Sequence, residues 1–308
     1  MAGDKLRIIC GPTAAGKSDL ALELCERYNA AIVSADSRQI YCEFNVGTAK
    51  PTREECARVT HYGIDVAKPE ERYSAARWAN EAIVWTESAG EIDKEAVVVG
   101  GTGLYIKALV EPLFDAPDQD PLQRARLELE LATMSVDDLR RWCNELDPAR
   151  AHLGRTQLLR AIETALLSGS RISDLHSRHK ALKEIEADDQ KPAYLVVDPG
   201  TALATKIEAR VDKMLGAGWA EEVRELIRTV SPDAPAWKAS GYMLMRDHVE
   251  GALDLSSATQ RVIIETRQYA KRQRTWFRNQ LPAPAVTYVN PDDPHALTIA
   301  REWWERAE

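Results

Sequence analysis

The feature of this sequence that most restricts its fold is the run GPTAAGKS at 11–18, which directly follows the apolar stretch LRIIC at 6–10. Residues 19–24 continue at helical spacing. An apolar strand, a glycine-rich turn and a helix in this order are typical of a P-loop, which binds phosphate through backbone N–H groups at a helix N-terminus. The sequence therefore predicts a site for a phosphate ester or diphosphate. The alternative, a chance match in an ordinary turn, is disfavoured because both flanking elements are present.

The residue types within this loop suit the capture of an anion. Gly11 and Gly16 allow successive N–H groups to point into one concavity. Lys17 adds a positive charge, and the Ser18 hydroxyl is a candidate ligand for Mg²⁺, the cofactor that we expect. The predicted diphosphate-binding residues form the whole loop: Gly11, Pro12, Thr13, Ala14, Ala15, Gly16, Lys17 and Ser18.

Strand and helix patterns alternate along much of the chain. Buried-strand patterns end at Asp36 and at Gly100, and a further one begins at Tyr194. Strands alternating with helices at this spacing predict a parallel sheet. Between these parts, helical patterns replace strand patterns for about seventy residues. We therefore predict an α/β fold, with a P-loop NTPase-like parallel-sheet core at 1–116 and 190–308, including C-terminal helices, and a helical insertion domain at 117–189.

Asp36 is the acidic residue that this sheet places beside the phosphate loop. It follows the apolar run 30–35, and ligands of parallel α/β sheets bind at the carboxyl ends of the strands. We therefore expect Asp36 at the same edge as Lys17 and Ser18. From position alone, its carboxylate could hold Mg²⁺ as a Walker-B aspartate does.

The charge and cysteine content restrict the setting in which the chain works. Its formal net charge is −8, so a surface for nucleic acid must be a local basic patch. The five cysteines show no CxxC spacing, which favours reduced thiols in the cytoplasm over a zinc site. No apolar run approaches the roughly 20 residues of a membrane span, and no signal-peptide core is visible. We expect a cytoplasmic monomer with no membrane partner.

A basic patch of this kind is predicted on a long helix over 257–278. Four basic residues there lie at spacings of 4, 3 and 4, namely Arg267, Lys271, Arg274 and Arg278. They fall within roughly 60° of one another around the helix. Such a face is either merely solvated or a contact for a phosphate backbone. The acidic balance of the whole chain favours the phosphate contact.

Six motifs together carry a resemblance to a known family: GPTAAGKS, SADSRQIY at 34–41, VGTAKP at 46–51, GGTGLY at 100–105, LRAIE at 159–163 and TRQYAKRQ at 266–273. Taken in order over about 7–279, this set resembles the tRNA dimethylallyltransferase family of bacterial type. The chain lacks the C-terminal zinc finger of eukaryotic relatives. It departs from the family at GYML, 241–244, where a basic and then an acidic or polar residue usually follow the tyrosine.

The resemblance implies a reaction and a set of catalytic residues. The family transfers a dimethylallyl group from its diphosphate to the exocyclic amine of the adenosine just 3′ of the anticodon. By resemblance, Asp36 is the general base, Thr13 faces the leaving oxygen and Arg210 clamps the diphosphate. From the sequence alone, Arg210 could equally form an ion pair on a helix surface.

The resemblance also implies contacts with the tRNA anticodon stem–loop. An adenosine stacked in that loop must be pulled out to reach a buried carboxylate. The helical insertion would grip the loop from the other side. The implied tRNA-binding residues are Asp36, Ser37, Arg38, Gln39, Thr102, Arg124, Gln157, Leu158, Leu159, Arg160 and Ala161, together with Arg267, Lys271, Arg274 and Arg278.

Two other classes of function compete with this interpretation. One is an enzyme acting on a free nucleotide, either a P-loop kinase or an adenylate isopentenyltransferase, which would need neither the insertion nor the basic helix. The other is a non-catalytic nucleotide-dependent switch or an RNA-binding module. Asp36 beside the phosphate loop argues against this second class.

Overall fold

The computed structural model describes residues 6–111, 120–175, 177 and 192–306. By its contacts the chain divides into a first unit, Met1–Pro112 with Gln190–Glu308, and a second unit, Leu113–Asp189. The sequence prediction placed the insertion at 117–189. Both predicted boundaries of this insertion lie outside the described residues.

The first unit contains one parallel sheet. Its strands are β1 (Arg7–Cys10), β2 (Ala30–Ser34), β3 (His61–Tyr62), β4 (Glu95–Gly100), β5 (Ala193–Val197) and β6 (Val286–Val289). They lie in the order β3-β2-β4-β1-β5-β6, with every pairing parallel. The central strand β1 is buried along its whole length, as expected where helices cover both faces of a parallel sheet.

The helices of the described chain are, in order, α1 (Lys17–Arg27), α2 (Arg53–Arg58), α3 (Ala75–Glu91), α4 (Gly103–Val110), α5 (Pro121–Ala132), α6 (Val136–Leu146), α7 (Arg155–Ser168), α8 (Leu203–Gly216), α9 (Trp219–Thr229), α10 (Tyr242–Val249), α11 (Leu255–Gln280) and α12 (Ala296–Arg306). Helices α5–α7 belong to the second unit. Ser74 and Ser135 cap α3 and α6 through their side chains, as the sequence predicts.

The C-terminal helix α12 packs against the sheet and α1 through two tryptophans. Trp303 and Trp304 are both buried in the same apolar cluster as β1 and α1. The Trp304 ring stacks on Tyr28 with their centroids 4.8 Å apart, and the Arg7 guanidinium lies 5.0 Å from its centroid. The two tryptophans therefore dock α12 against the core.

The second unit has its own small apolar core. Six buried residues from α5, α6 and α7 form most of it: Leu127, Leu131, Leu139, Cys143, Leu158 and Ile162. The cysteines of the chain are all free thiols. Within the described ranges, every helix is too short or too polar to cross a bilayer.

Candidate active site

The candidate site lies at the carboxyl edge of the central strands. The phosphate loop follows β1, Asp36 follows β2, and the glycine turn 100–103 follows β4. Because these three strands are neighbours in the sheet, their ends meet at one edge. The expected proximity of Asp36 and Lys17 is confirmed, since the two side chains interact electrostatically.

The phosphate loop leads into an open helix N-terminus. Gly16 precedes α1 with φ 86°, a left-handed conformation that suits glycine, and the described chain provides no side-chain cap there. The first N–H groups of α1 therefore lack partners within the helix. Lys17 donates a hydrogen bond from Nζ to the Pro12 carbonyl at 2.7 Å. These donors converge on a position suited to an anion.

Two cations approach each other at this loop. Burial lowers the pKa of Lys17 from 10.5 to about 8, and the nearby Arg210 guanidinium lowers it further, whereas Asp36 and Cys10 act in the opposite direction. Burial likewise lowers the pKa of Arg210, against the effect of the Asp36 and Asp19 carboxylates. Two positive charges held together in a partly buried place are stabilised by a bound anion.

Arg210 is therefore directed at the site and is not used on the helix surface. Its Nη2 donates to the Thr48 carbonyl at 3.3 Å, and its charge acts on Lys17 and Asp36. Among the described residues it forms no close ion pair. The structure thus favours the clamp over the surface ion pair that the sequence left open.

Asp36 interacts electrostatically with both cations and with two tyrosines. Its Oδ1 accepts the Arg38 N–H at 2.8 Å, which fixes the start of the loop after β2. Burial and the Asp36 charge raise the pKa of Tyr105 and of Tyr269, so both hydroxyls lie near the carboxylate. A carboxylate near both cations and neutral hydroxyls can accept a proton beside a bound anion.

The loop after β2 is joined to the glycine turn by Thr102. Its Oγ1 accepts the Ser37 N–H at 3.0 Å, and its own N–H donates to the Ala35 carbonyl at 3.0 Å. The structure therefore brings together Ser37, Thr102 and Asp36, three of the residues implied to contact tRNA.

The Gln39 side chain forms hydrogen bonds within the first unit. Its Oε1 accepts from the Ser34 hydroxyl at 3.1 Å, and its Nε2 donates to the Ala49 carbonyl at 3.0 Å. The amide is thus used at both ends to hold the turn around Thr48 and Ala49. Both hydrogen-bonding groups of this side chain are therefore used within the protein, and its contact with tRNA stays a prediction.

The basic face of α11 is partly neutralised. Arg267 pairs with Glu208, and Arg274 pairs with Asp198 and also donates to the Gly200 carbonyl. Two of the four positive charges are therefore neutralised by acids from α8 and from the end of β5, and the phosphate contact expected for this face stays a prediction. Lys271 and Arg278 are exposed and have no ion pair with any described residue.

Residues implied for tRNA contact in the second unit divide into two groups. Leu158 and Ala161 are fully buried in its core, so their side chains offer no surface to RNA. Arg124 pairs with Glu163, and Leu159 is half-buried. Gln157 and Arg160 are exposed. The correction for Leu158 and Ala161 follows from the periodicity of α7, which turns them inward.

Sequence reasoning missed a carboxylate that shapes the site from α9. Glu222 accepts the N–H groups of Asn45 and Val46 at 2.9 and 2.7 Å, and the Tyr242 hydroxyl at 2.6 Å. This clamp holds the turn whose Thr48 carbonyl receives Arg210. The GY pair at 241–242 was the available signal, but nothing in the sequence connects it with Glu222.

Metal ligands at this edge are few. Ser18 is exposed in the first turn of α1, and the described residues contain no group of three or more His, Cys, Asp or Glu side chains suited to a metal. Mg²⁺ in phosphate sites is commonly held by one or two protein oxygens and by the phosphates themselves. The exposed Ser18 hydroxyl can supply one such oxygen.

Fold and site together define a class of protein: a P-loop NTPase-like α/β domain with a partly buried pair of cations facing a carboxylate. A family model described as IPP transferase matches residues 39–280. Relatives include "tRNA dimethylallyltransferase" of Gloeobacter violaceus, 40% identical over 89% of each chain, and that of Cyanothece sp., 37% identical over 95% of this chain and 94% of the relative. The chain belongs to the IPP transferase family.

Solved structures agree with this assignment. The tRNA isopentenylpyrophosphate transferase of Bacillus halodurans has a TM-score of 0.66 at 29% identity, covering 99% of this chain and 98% of its own. A eukaryotic dimethylallyltransferase described as acting on tRNA has a TM-score of 0.74 at 21% identity, covering 93% of this chain and 74% of its own, which shows the shared fold.

Proposed function

We propose that this chain transfers a dimethylallyl group from dimethylallyl diphosphate to the exocyclic N6 amine of the adenosine on the 3′ side of a tRNA anticodon. The observation that carries the proposal is the Asp36 carboxylate beside Lys17 and Arg210 at the phosphate loop. The names of the relatives, tRNA dimethylallyltransferase and tRNA isopentenylpyrophosphate transferase, support the same donor and acceptor.

Asp36 acts as general base. The N6 amine is a poor nucleophile because its lone pair is delocalised into the purine ring. As N6 forms a bond to the dimethylallyl carbon, one N6 proton passes to a carboxylate oxygen of Asp36, and the carbon–oxygen bond to diphosphate breaks with its electron pair leaving on oxygen. Base catalysis of this kind contributes about 10²–10⁴-fold.

The leaving diphosphate gains negative charge, and the phosphate loop supplies donors fixed in advance. Lys17, Arg210 and the first N–H groups of α1 stabilise that charge without needing to reorganise. Thr13 is proposed to face the bridging oxygen. Arg210 is held in place by the Thr48 carbonyl, which is itself fixed by the Glu222 clamp.

We further propose that Ser18, with the diphosphate oxygens, would hold Mg²⁺, with the carboxylate of Asp36 nearby. Bound there, the ion would neutralise part of the charge on the diphosphate. The exposed Ser18 hydroxyl and the small number of acidic side chains at this edge support a site that is completed by the substrate.

RNA recognition is proposed to use the exposed cations that the structure leaves without acidic partners. Of the residues implied to contact tRNA, these are Lys271 and Arg278 on the first unit and Arg160 on the second unit. Phosphate contacts position the RNA, and the target base leaves its stack to reach Asp36.

A single enzyme chain supplies every group of this site, which supports the proposal that it works as a monomer. The free cysteines support a reducing, cytoplasmic setting. Size-exclusion chromatography with light scattering tests the first statement, because a stable dimer at catalytic concentrations would contradict it.

The decisive test supplies labelled dimethylallyl diphosphate and Mg²⁺ with a tRNA anticodon stem–loop, with AMP, or with no acceptor. We expect label on the stem–loop alone. A stem–loop whose 3′-adjacent adenosine is replaced by guanosine is the matched control and should stay unlabelled. Comparable label on AMP would favour a free-nucleotide transferase. Phosphoryl transfer from ATP, with no prenyl transfer to either acceptor, would overturn the proposal in favour of a kinase.

A further inference from the structure

One row of side chains on helix α11 contacts the glycine turn after β4. Gln273 donates from Nε2 to the Gly101 carbonyl at 2.8 Å, Tyr269 lies beside Thr102, and Trp276 covers Gly103. A Cβ at Gly101 would overlap the Gln273 amide nitrogen, so the two elements touch directly. These three positions, spaced four and three apart, lie on one face of the helix.

The same glutamine also holds the phosphate loop. Its Oε1 accepts the Thr13 N–H at 2.8 Å, while its Nε2 is committed to Gly101. Gln273 is only 6% exposed, although it lies on a helix whose outer face is strongly charged. A buried amide with both ends satisfied by backbone groups of two different loops fixes the distance between those loops.

Thr13 is the loop residue proposed to face the leaving oxygen, so its backbone position matters for the donor. Within the described chain, its N–H bonds to a side chain, whereas the first N–H groups of α1 are open to phosphate. Gln273 thus fixes the position of the Thr13 backbone relative to the free N–H groups at the start of α1.

We propose that Gln273 is a positioning residue for the diphosphate site: by joining Thr13 to Gly101, it holds the phosphate loop in its anion-binding form. It acts through Thr13 and does not touch the reacting atoms. The identity of the donor rests on the proposed function, but the effect on anion binding does not.

The test measures binding of inorganic diphosphate with Mg²⁺ by calorimetry, alongside binding of an anticodon stem–loop and thermal unfolding. Gln273→Met keeps the length of the side chain and removes both hydrogen bonds. We expect diphosphate to bind about tenfold more weakly, a change of about 1.4 kcal/mol, while stem–loop binding stays within about threefold. Gln268→Met, at an exposed position of the same helix, is the matched control and should bind both ligands normally.

A second variant separates positioning from folding. Gly101→Ala displaces the Gln273 amide without removing it, so it should weaken diphosphate binding in the same way and add little to Gln273→Met in the double variant. If Gln273→Met does not fold, Gly101→Ala alone carries the test.

Two results would overturn the inference. One is unchanged diphosphate affinity in Gln273→Met, or in Gly101→Ala where the methionine variant does not fold. The other is a parallel loss of diphosphate affinity, RNA affinity and thermal stability, which would make Gln273 a general packing residue. Absence of dimethylallyl transfer by the wild-type chain would refute the proposed function and leave the diphosphate comparison interpretable.

Discussion

The charged Lys17 side chain is expected to bind phosphate and also to lower the free energy of unfolding of the unliganded protein. A partly buried ammonium beside Arg210 has a pKa that falls from 10.5 to about 8. At about 1.4 kcal/mol for each pH unit, this fall corresponds to about 3 kcal/mol of unfavourable free energy in the charged state at neutral pH. Replacing Lys17 by a neutral side chain of similar length should recover part of it.

We predict that Lys17→Met raises the free energy of unfolding by about 1–2 kcal/mol at pH 7, because solvent screens part of the cost and the hydrogen bond to Pro12, worth about 1 kcal/mol, is lost. The Tm should rise by about 2–8 °C, at about 2–4 °C for each kcal/mol. Differential scanning fluorimetry measures this shift. Diphosphate with Mg²⁺ should raise the Tm of the wild type more than that of the variant, which keeps only Arg210 and the N–H groups of α1 for binding.

The pH dependence provides an independent check. Unfolded Lys17 keeps its proton up to about pH 10.5, whereas the folded chain releases it near pH 8. Between these values the unfolded state binds more protons, so the wild type gains stability as pH rises and the advantage of the variant shrinks. Below pH 8 that advantage stays constant. Exposed Lys213→Met is the control and should show no such trend.

A variant that is no more stable than the wild type at pH 7 would refute the reasoning. So would a difference between the two proteins that does not shrink from pH 8 to pH 10.5. Either result would mean that solvent or a bound ion already compensates the Lys17 charge in the folded chain.

Three further predictions concern the carboxylate, the basic face and the clamp. Asp36→Asn should slow the chemical step by at least about a hundredfold in single-turnover assays, while RNA binding changes only a few-fold; near-normal turnover would remove Asp36 as the base. Lys271→Gln should reduce the dependence of RNA affinity on salt concentration by about one phosphate contact. Arg274→Gln should chiefly lower stability, because it leaves Asp198 unpaired. The opposite pattern in salt titrations of the two variants would contradict this assignment. Tyr242→Phe should lower the free energy of unfolding by about 1–2 kcal/mol and weaken donor binding, because Glu222 loses a charge-assisted hydrogen bond. The midpoint of urea unfolding measures the change, and an unchanged midpoint would count against the clamp.

The central part of the fold could be predicted because its signals are local. Strands β1, β2, β4 and β5 are continuous apolar runs, and the phosphate loop has a fixed spacing of glycine, lysine and serine. The strands that prediction missed are at the edges of the sheet. Strand β3 has two residues, and β6 has four and is followed directly by a polar turn, so neither shows a periodic pattern.

Side-chain partners from distant parts of the chain could not be predicted in the same way. The spacing of α11 identified its basic face, but the acids that neutralise it, Glu208 and Asp198, lie on other elements. Gln273 is 260 residues from Thr13 along the chain. Helical periodicity predicts which residues share a face of a helix. It does not predict which side chains from other helices, strands or loops contact that face.

The groups that bind phosphate do not determine which reaction follows. Lys17, Arg210 and the open N-terminus of α1 recognise phosphate oxygens, which dimethylallyl diphosphate shares with any nucleotide. The distinguishing part of the site is the surroundings of Asp36, whose charge acts on Tyr105 and Tyr269. A kinase also needs a carboxylate beside its acceptor, so Asp36 alone does not separate the two chemistries. In the function proposed above, the group that enters beside Asp36 selects the reaction, and that group is the adenosine amine of a bound RNA.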